Sequence, residues 1–440
     1  MTQVRSNLVE GHASQVLPVS ESRSRRKKNW FPKSIYFLFY IFAIYLVIPA
    51  IDVPLLGLSL SAPVFFLIAL ACVLRPPRPW FRQYSSWILL TALIWFAIFI
   101  STVANGLLSG GVEINSDGIL YLIRYFYWLM VFVLTGYFAN QDQLLKKIPL
   151  ILAWSVFILA LLRWVEVLLY GNIGAWSGTH LLTENAYGFQ FSVFSPFLLV
   201  LIFQQKGWKK VFWILAEVVV WGAVAINASR GSWVAMGIGL GICLLLLFFS
   251  KPQRFFTAVF SVLLMAGIGF ALWNEIPKAA AAVEERLGTF QNLEEDKSYV
   301  IRQVMIQKGL RLFKDSPLVG VGANRFTLTW ADIDLPDILE YRGIGEFETK
   351  NAHNSYIQWL AEFGLLGSIP LVILLAVLTV RGLITTRRAI VQRDLVPLAI
   401  YLSFLQMSMH LWVITALTGT VTWFIYGLLM AVIKNEANKK

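Results

Sequence analysis

The sequence predicts an all-α, polytopic membrane protein, and three observations carry that reading. Hydrophobic residues fill 58% of the 440 positions and charged residues only 14%. Apolar runs of about 20 residues, the length a helix needs to cross a bilayer, recur along the chain. The basic residues fall mostly in alternate connections between those runs, as the positive-inside bias requires. These observations give about twelve transmembrane helices and one large extracytoplasmic loop that contains helices of its own.

The expected organisation is a cytoplasmic tail over residues 1–33, nine helices within 34–274, the large loop over 275–354, three helices within 355–433 and a cytoplasmic tail over 434–440. The first nine spans are expected at 34–50, 57–74, 85–105, 119–139, 148–170, 185–203, 211–226, 232–249 and 255–273. The last three are expected at 355–380, 395–417 and 419–433. Residues 1–26 are polar, and no small-residue cleavage pattern follows the first apolar run, so no cleavable signal peptide is expected.

Charge sets the orientation. Arg23, Arg25, Arg26, Lys27 and Lys28 place the N-terminal tail in the cytoplasm. Basic residues return in alternate connections, at Arg75, Arg78 and Arg82, at Lys146 and Lys147, at Lys206, Lys209 and Lys210, at Lys251 and Arg254, and at Arg381, Arg387, Arg388 and Arg393. The segment from Glu275 to Lys350 instead holds 10 basic residues and 13 acids, so it is net negative in a chain of net charge +12. The positive charge is therefore a topology signal, and no nucleic-acid partner is expected; membrane lipids are. Cys72 and Cys243 lie inside apolar runs and read as small core residues, neither a disulfide nor a metal pair.

Along the chain, the fourth span carries Arg124 near its outer end, and the fifth carries Arg163 and Glu166 in its outer part. Ionisable groups at such depth face protein or a water-filled cavity. The structural alternative is an Arg163–Glu166 pair at i,i+3 with Arg124 snorkelling to the interface. The connection 171–184 holds Trp176, His180 and Glu184, and His180 is a candidate sugar contact or simply a loop residue. Pro196 is expected to kink the sixth span. Asn227-Ala228-Ser229-Arg230-Gly231 makes a tight outer turn into the eighth span, with Ser232 expected as its cap. Arg230, near the free N–H groups of a helix start on the outer face, is well placed for a phosphate oxygen.

In the loop, residues 298–314 read as an amphipathic helix. Gln303, Gln307 and Lys314 form its polar face, and Ile301, Val304, Met305 and Leu312 its apolar one. Arg302 shares a stripe with Ile306, Gly309 and Phe313, so it points toward packed structure, where a guanidinium needs an anion. That anion is either a loop carboxylate or a substrate phosphate. The turn 317–322 leads back to the membrane. Asp332-Ile333-Asp334 has the form of a metal-binding D-x-D, but carboxylates in a polar loop are ordinarily just solvated. No zinc-spaced Cys/His cluster exists, and no metal is expected.

His353 marks the place where this polar loop meets an apolar helix, with Asn351 or Asn354 as its cap. The positive end of the helix dipole favours a neutral ring, able to take a proton near pH 7. The alternative is a polar residue that merely marks the boundary.

Three pieces of sequence together resemble the O-antigen ligase and O-antigen polymerase superfamily. Ala352-His353-Asn354 with Tyr356, followed by Leu360, Glu362, Gly364, Leu365 and Gly367, is similar to its A-H-N-x-Y and L-x-E-x-G-L-x-G. Pro317-Leu318-Val319-Gly320-Val321-Gly322 is similar to its P-L-x-G-x-G, and Ser229-Arg230-Gly231 to its S-R-G. The resemblance spans roughly Asn227 to Gly367. It implies a glycosyltransferase of the bacterial inner membrane, multi-pass, with the active site facing the periplasm. The implied donor is a glycan on undecaprenyl pyrophosphate and the implied acceptor the lipid A core. No cofactor is implied, and one-step displacement would invert the anomeric centre. By the same resemblance His353 is the base and Arg230 and Arg302 bind pyrophosphate; Arg163 and Arg124 are further candidates through their depth in apolar spans near the outer face. Arg311 and Arg325 are alternatives to Arg302. Ligase, polymerase and protein O-oligosaccharyltransferase share the pattern; a transporter or lipid flippase is the reading from a different class.

Overall fold

The computed structural model describes residues 33–48, 52–53, 58–59, 61–74, 80–108, 116–140, 144–170, 182–227, 229–273, 296–329 and 350–437, with seven isolated positions between 281 and 333. The tail 1–32, His180, Asp332 and Asp334 lie outside the described residues. Among the described residues there are thirteen helices. They are α1 (Lys33–Val47), α2 (Ser61–Leu74), α3 (Trp80–Leu108), α4 (Ser116–Ala139), α5 (Leu144–Tyr170), α6 (Glu184–Gln204) and α7 (Trp208–Ile226). There follow α8 (Arg230–Ser250), α9 (Pro252–Trp273), α10 (Lys297–Asp315), α11 (Ser355–Val391), α12 (Val396–His410) and α13 (Thr420–Ala437). The turn between α1 and α2 adds one antiparallel pair of two-residue strands, β1 (Asp52–Val53) and β2 (Leu58–Ser59), with Asp52 opposite Ser59.

Each expected apolar segment coincides with a helix, but the expected count of twelve spans does not follow. Six helices, α3, α4, α5, α6, α8 and α11, are long and apolar enough to cross a membrane among the described residues. Length is one reason. α1 and α12 have 15 residues and α2 has 14, about 22 Å at 1.5 Å per residue, against a hydrocarbon core of ~30 Å. Polarity is the other, since α7 carries Lys209, Lys210 and Glu217.

α13 is buried along its whole apolar stretch, Val421 to Ile433, and packs on α4 and on α11 and α12. α6 lies between α5, α7 and α12. α3 and α9 instead turn large apolar side chains outward, among them Leu89, Phe96, Phe256 and Phe260. An outward apolar face of this kind suits lipid. Pro196 sits inside α6, and the helix continues through it without a break.

The return of the loop to the bundle sets the position of everything that follows. Gly364 breaks α11, with φ 55° and ψ −156°. A broken helix leaves N–H and C=O groups that must be paired in an apolar setting, and the turn 317–322 pairs them. Val321 N donates to Ala361 O (2.9 Å) and Gly322 N to Glu362 O (2.8 Å). In the other direction Leu365 N donates to Pro317 O (2.9 Å) and Leu366 N to Leu318 O (3.0 Å). The Ser101 hydroxyl of α3 lies between two acceptors, Glu362 O (2.9 Å) and Val319 O, and can donate to either, and Asn105 Nδ2 donates to Gly320 O (2.9 Å). The glycines make the approach feasible. A Cβ on Gly320 would stand 2.4 Å from the Glu362 carbonyl carbon, and one on Gly364 2.6 Å from that of Leu318. The two glycine-bearing motifs are thus one interlocked unit, which ties the loop to the membrane helices.

Candidate active site

Four helix starts and one helix end meet at one end of the bundle: the heads of α6, α8, α10 and α11 and the tail of α12. The head of α10 is capped by Asp296, whose Oδ1 accepts from Ser298 N (2.8 Å) and Tyr299 N (3.2 Å). Its other oxygen, Oδ2, pairs with Arg230 Nη2 at 2.6 Å. One carboxylate therefore caps the loop helix and pins it to the first residue of α8. Burial alone would raise the Asp296 pKa. The Tyr299 and Ser298 N–H groups and the Arg230 charge outweigh it and hold the carboxylate below its ordinary range.

Arg302 lies two turns along α10 and is half-buried. Burial lowers its pKa, the neighbouring Arg230 charge lowers it further, and Asp296 partly compensates. Its stripe faces α11 as the periodicity predicts, since a Cβ on Gly309 would meet Ile357 Cγ2 at 2.4 Å. Val304, Met305 and Leu312 are buried in a small second core with Phe326, Ala352 and Ala361, while Gln303, Gln307 and Lys314 are exposed.

That core explains the residues around His353. Ala352 is fully buried in that core beneath α10. Asn354 is the cap of α11, its Oδ1 accepting from Tyr356 N and Ile357 N at 3.1 Å each. Asn351 is not the cap: its Oδ1 accepts from Gln358 Nε2 at 3.4 Å, while Gln358 Oε1 accepts from Ala352 N at 3.3 Å. Between these anchors His353 sits at φ 47°, in the left-handed region. That conformation costs a non-glycine residue of order 1–2 kcal/mol, and strain of this kind gathers at functional sites. Ser355 N donates to Leu411 O (2.8 Å) and Ser355 Oγ to Ile414 O (2.6 Å), which fastens the segment to the end of α12. The His353 pKa is lowered from its ordinary 6.5 by burial first, then by Arg302 and Lys350. The ring is therefore neutral at neutral pH, with a lone pair for a proton.

The head of α8 is built differently from the sequence expectation. Ser229, not Ser232, occupies the cap position, and it makes no side-chain cap bond. Ser232 lies inside the helix and points at the ring of His410, 3.0 Å from Nε2. Sequence reasoning did not single out either His410 or Asp296. The signal for Asp296 was a capping residue just before an amphipathic run. The signal for His410 was scarcity, as one of four histidines in the chain and the one inside an apolar stretch.

The other expected residues have distinct settings. Arg163 is 1% exposed and pairs with Glu166 at 3.2 Å; Glu166 also accepts from Tyr187 OH at 2.8 Å, and the guanidinium stacks over the Tyr187 ring. This is the i,i+3 pair of the structural alternative. Arg124 lies over the ring of Tyr121 on its own helix, 4.7 Å from the centroid. Arg311 is about half exposed and pairs with Asp315 at 3.5 Å, so it points away from the group. Arg230, Arg302 and His353 are the residues the fold brings together.

No curated protein matches the chain. The family model described as O-antigen ligase matches residues 215–372, from within α7 into α11. The matched stretch contains Arg230, Asp296, Arg302, the 317–322 turn, His353 and the Gly364 break, whereas Arg124, Arg163 and His410 lie outside it. Such a match implies a membrane transferase of lipid-linked glycans of the ligase or polymerase type. Over residues 215–372 the chain is similar to the O-antigen ligase family.

Proposed function

We propose that this protein is an O-antigen ligase that moves glycan from undecaprenyl pyrophosphate to the lipid A core oligosaccharide on the periplasmic face of the inner membrane. The observation that carries the reading is the convergence of Arg230, Arg302 and a neutral His353 at one end of the helix bundle. His353 takes the proton from the acceptor hydroxyl. The acceptor oxygen attacks the anomeric carbon as its bond to the pyrophosphate oxygen breaks, which inverts that centre. Undecaprenyl pyrophosphate leaves with the electron pair, and the Arg230 and Arg302 guanidinium groups stabilise the anion. Arg163, already paired with Glu166, joins the end of α5 to Tyr187 at the head of α6. The step requires no nucleotide or metal.

In this reading the twelve apolar helices form the membrane part, and the ends bearing Arg230 and His353 face the periplasm. A one-sided group of charges at helix ends favours group transfer over transport, which places its polar groups near the membrane midplane. The test is reconstitution with undecaprenyl-pyrophosphate-linked glycan and, separately, lipid A core, a second lipid-linked glycan and a pilin-like protein, in the presence of a strong chelator. Modification of the lipid A core is expected. Modification of the second lipid-linked glycan would make the protein a polymerase, and modification of the pilin a protein transferase. Reporter fusions near Asp334 and Arg388 check the orientation, and a cytoplasmic Asp334 would remove the site from the periplasm.

A further inference from the structure

We propose that His410 is a positioning residue for Arg230, donating from Nε2 to Ser232 and so fixing the turn of α8 that carries the arginine; the donor-binding part of this role rests on the transferase reading above. Ser229 Oγ donates to Asn185 Oδ1 at 3.4 Å, and Ser232 Oγ donates to Ser229 Oγ at 3.0 Å. A hydroxyl has a single proton. Ser232 has given its proton to Ser229, so toward His410 it only accepts. With Ser232 as the donor to Ser229, the hydrogen between Ser232 and His410 is assigned to His410 Nε2, 3.0 Å away, which makes the ring the Nε2–H tautomer. Its Nδ1 is buried, with no hydrogen-bond partner among the described residues. The result is a directed chain, His410 to Ser232 to Ser229 to Asn185, that crosses from the tail of α12 through the head of α8 to the head of α6.

Close packing around the chain supports its role. His410 is 1% exposed and Ser232 fully buried. The Phe189 ring meets the imidazole in a T-shaped contact, with centroids 5.5 Å apart. Two glycines clear the space. A Cβ on Gly231 would stand 2.6 Å from Val413 Cγ2, just past His410, and a Cβ on Gly188 would stand 2.1 Å from Ser232 Oγ. This gives Ser229, Gly231 and Ser232 a shared purpose. They make a socket that the end of α12 grips, and Arg230 projects from it to Asp296. The same end of α12 holds the His353 segment through Leu411 O and Ile414 O. His410 thus stands where the arginine turn and the histidine turn are held to one another.

The test compares wild type, His410→Gln, His410→Leu, Ser232→Ala and the His410→Leu/Ser232→Ala double variant, reconstituted with undecaprenyl-pyrophosphate-linked glycan. Glutamine places an amide N–H near the Nε2 position, and leucine does not. His410→Leu and Ser232→Ala should each raise the donor KM about tenfold, His410→Gln should restore most of the loss, and the double variant should be no worse than the worse single one. A second arm needs no substrate: ¹⁵N-histidine NMR of the wild type in nanodiscs should show His410 as the Nε2–H tautomer. A wild-type donor KM in both His410→Leu and Ser232→Ala, multiplying effects in the double variant, or an Nδ1–H tautomer would each overturn the proposal. Should His410→Leu fail to fold, Ser232→Ala, His410→Gln and the NMR signature decide. Transfer to none of the acceptors by wild type would count against the transferase reading, and the NMR arm would still decide the His410 contact.

Discussion

Arg230 Nη2 and Asp296 Oδ2 stand 2.6 Å apart, and this ion pair joins the first residue of a membrane helix to the cap of the loop helix. A guanidinium presents its N–H donors in a fixed planar fork, so the contact with the Asp296 carboxylate orients the Arg230 side chain. The pair also sets the reach of Arg302, which α10 carries two turns further on.

Replacement of Asp296 separates its two tasks. Asp296→Asn keeps the cap and loses the charge, so kcat/KM should fall about tenfold or more and stability should fall by the worth of the pair alone, about 1–3 kcal/mol. Asp296→Ala loses the cap as well, at a further cost of about 1 kcal/mol. The pair is also acid-resistant. Because the folded pKa is below the unfolded one, its contribution is present above the unfolded value and is lost only as pH falls through the lowered folded value. Hydrogen exchange of residues 296–315 should be no faster at pH 5 than at pH 7, apart from the intrinsic pH dependence of exchange. Extra exchange at pH 5 would contradict the pairing.

Arg163 and Glu166 should behave as a structural pair. Arg163→Met leaves the Glu166 carboxylate buried without its cation and should cost about 3–5 kcal/mol. Arg163→Met with Glu166→Leu should recover most of that, measured by thermal unfolding in detergent. An Arg163→Met protein of wild-type stability that has lost transfer would return Arg163 to the donor site.

The interlock at Gly364 makes an opposite kind of prediction, for stability far from the chemistry. Gly320→Ala and Gly364→Ala put a Cβ into backbone atoms at positive φ and should each cost at least about 2 kcal/mol. At Gly322, φ is 97° but a Cβ would meet nothing nearer than 3.5 Å. Gly322→Ala should cost only the backbone strain, about 1 kcal/mol. Equal losses at all three positions would mean that steric contact is not what the glycines relieve.

The pH dependence of transfer follows from His353. Its folded pKa lies below 6.5, so the neutral base persists to lower pH than an ordinary histidine, and rate is lost only as pH falls through the lowered value. The acid limb of kcat/KM, which reports the free enzyme, should lie below pH 6.5. The bound pyrophosphate adds negative charge beside the ring and should shift the limb of kcat upward from there. Coincident limbs would mean that donor and histidine are not neighbours.

Much of this was legible in the residues, because helices announce themselves locally. Hydropathy placed the apolar helices among the described residues, and the i,i+4 pattern set which face of α10 is polar and that Arg302 turns inward. What periodicity could not show was pairing between distant segments. Gly364 sits in an apolar run that reads as continuous helix, and only the 317–322 turn, packed into the break, accounts for it. α12 ends at His410 rather than at residue 417, since the chain turns there to hold Ser355. α11 continues to Val391, well past the apolar run, because Arg381, Arg387 and Arg388 are good helix formers in water. Ser232 looked like a cap because its helix partner, His410, is far away in sequence.

The most direct test of the account is the single-turnover rate of glycan transfer by purified, reconstituted His353→Ala, measured beside its affinity for undecaprenyl-pyrophosphate-linked glycan. If His353 is the base held neutral beside Arg302, transfer should slow by ~10²–10⁴-fold while donor affinity stays near wild type. A His353→Ala protein that transfers glycan at near the wild-type rate would contradict the assignment and leave His353 as a residue that only shapes the start of α11.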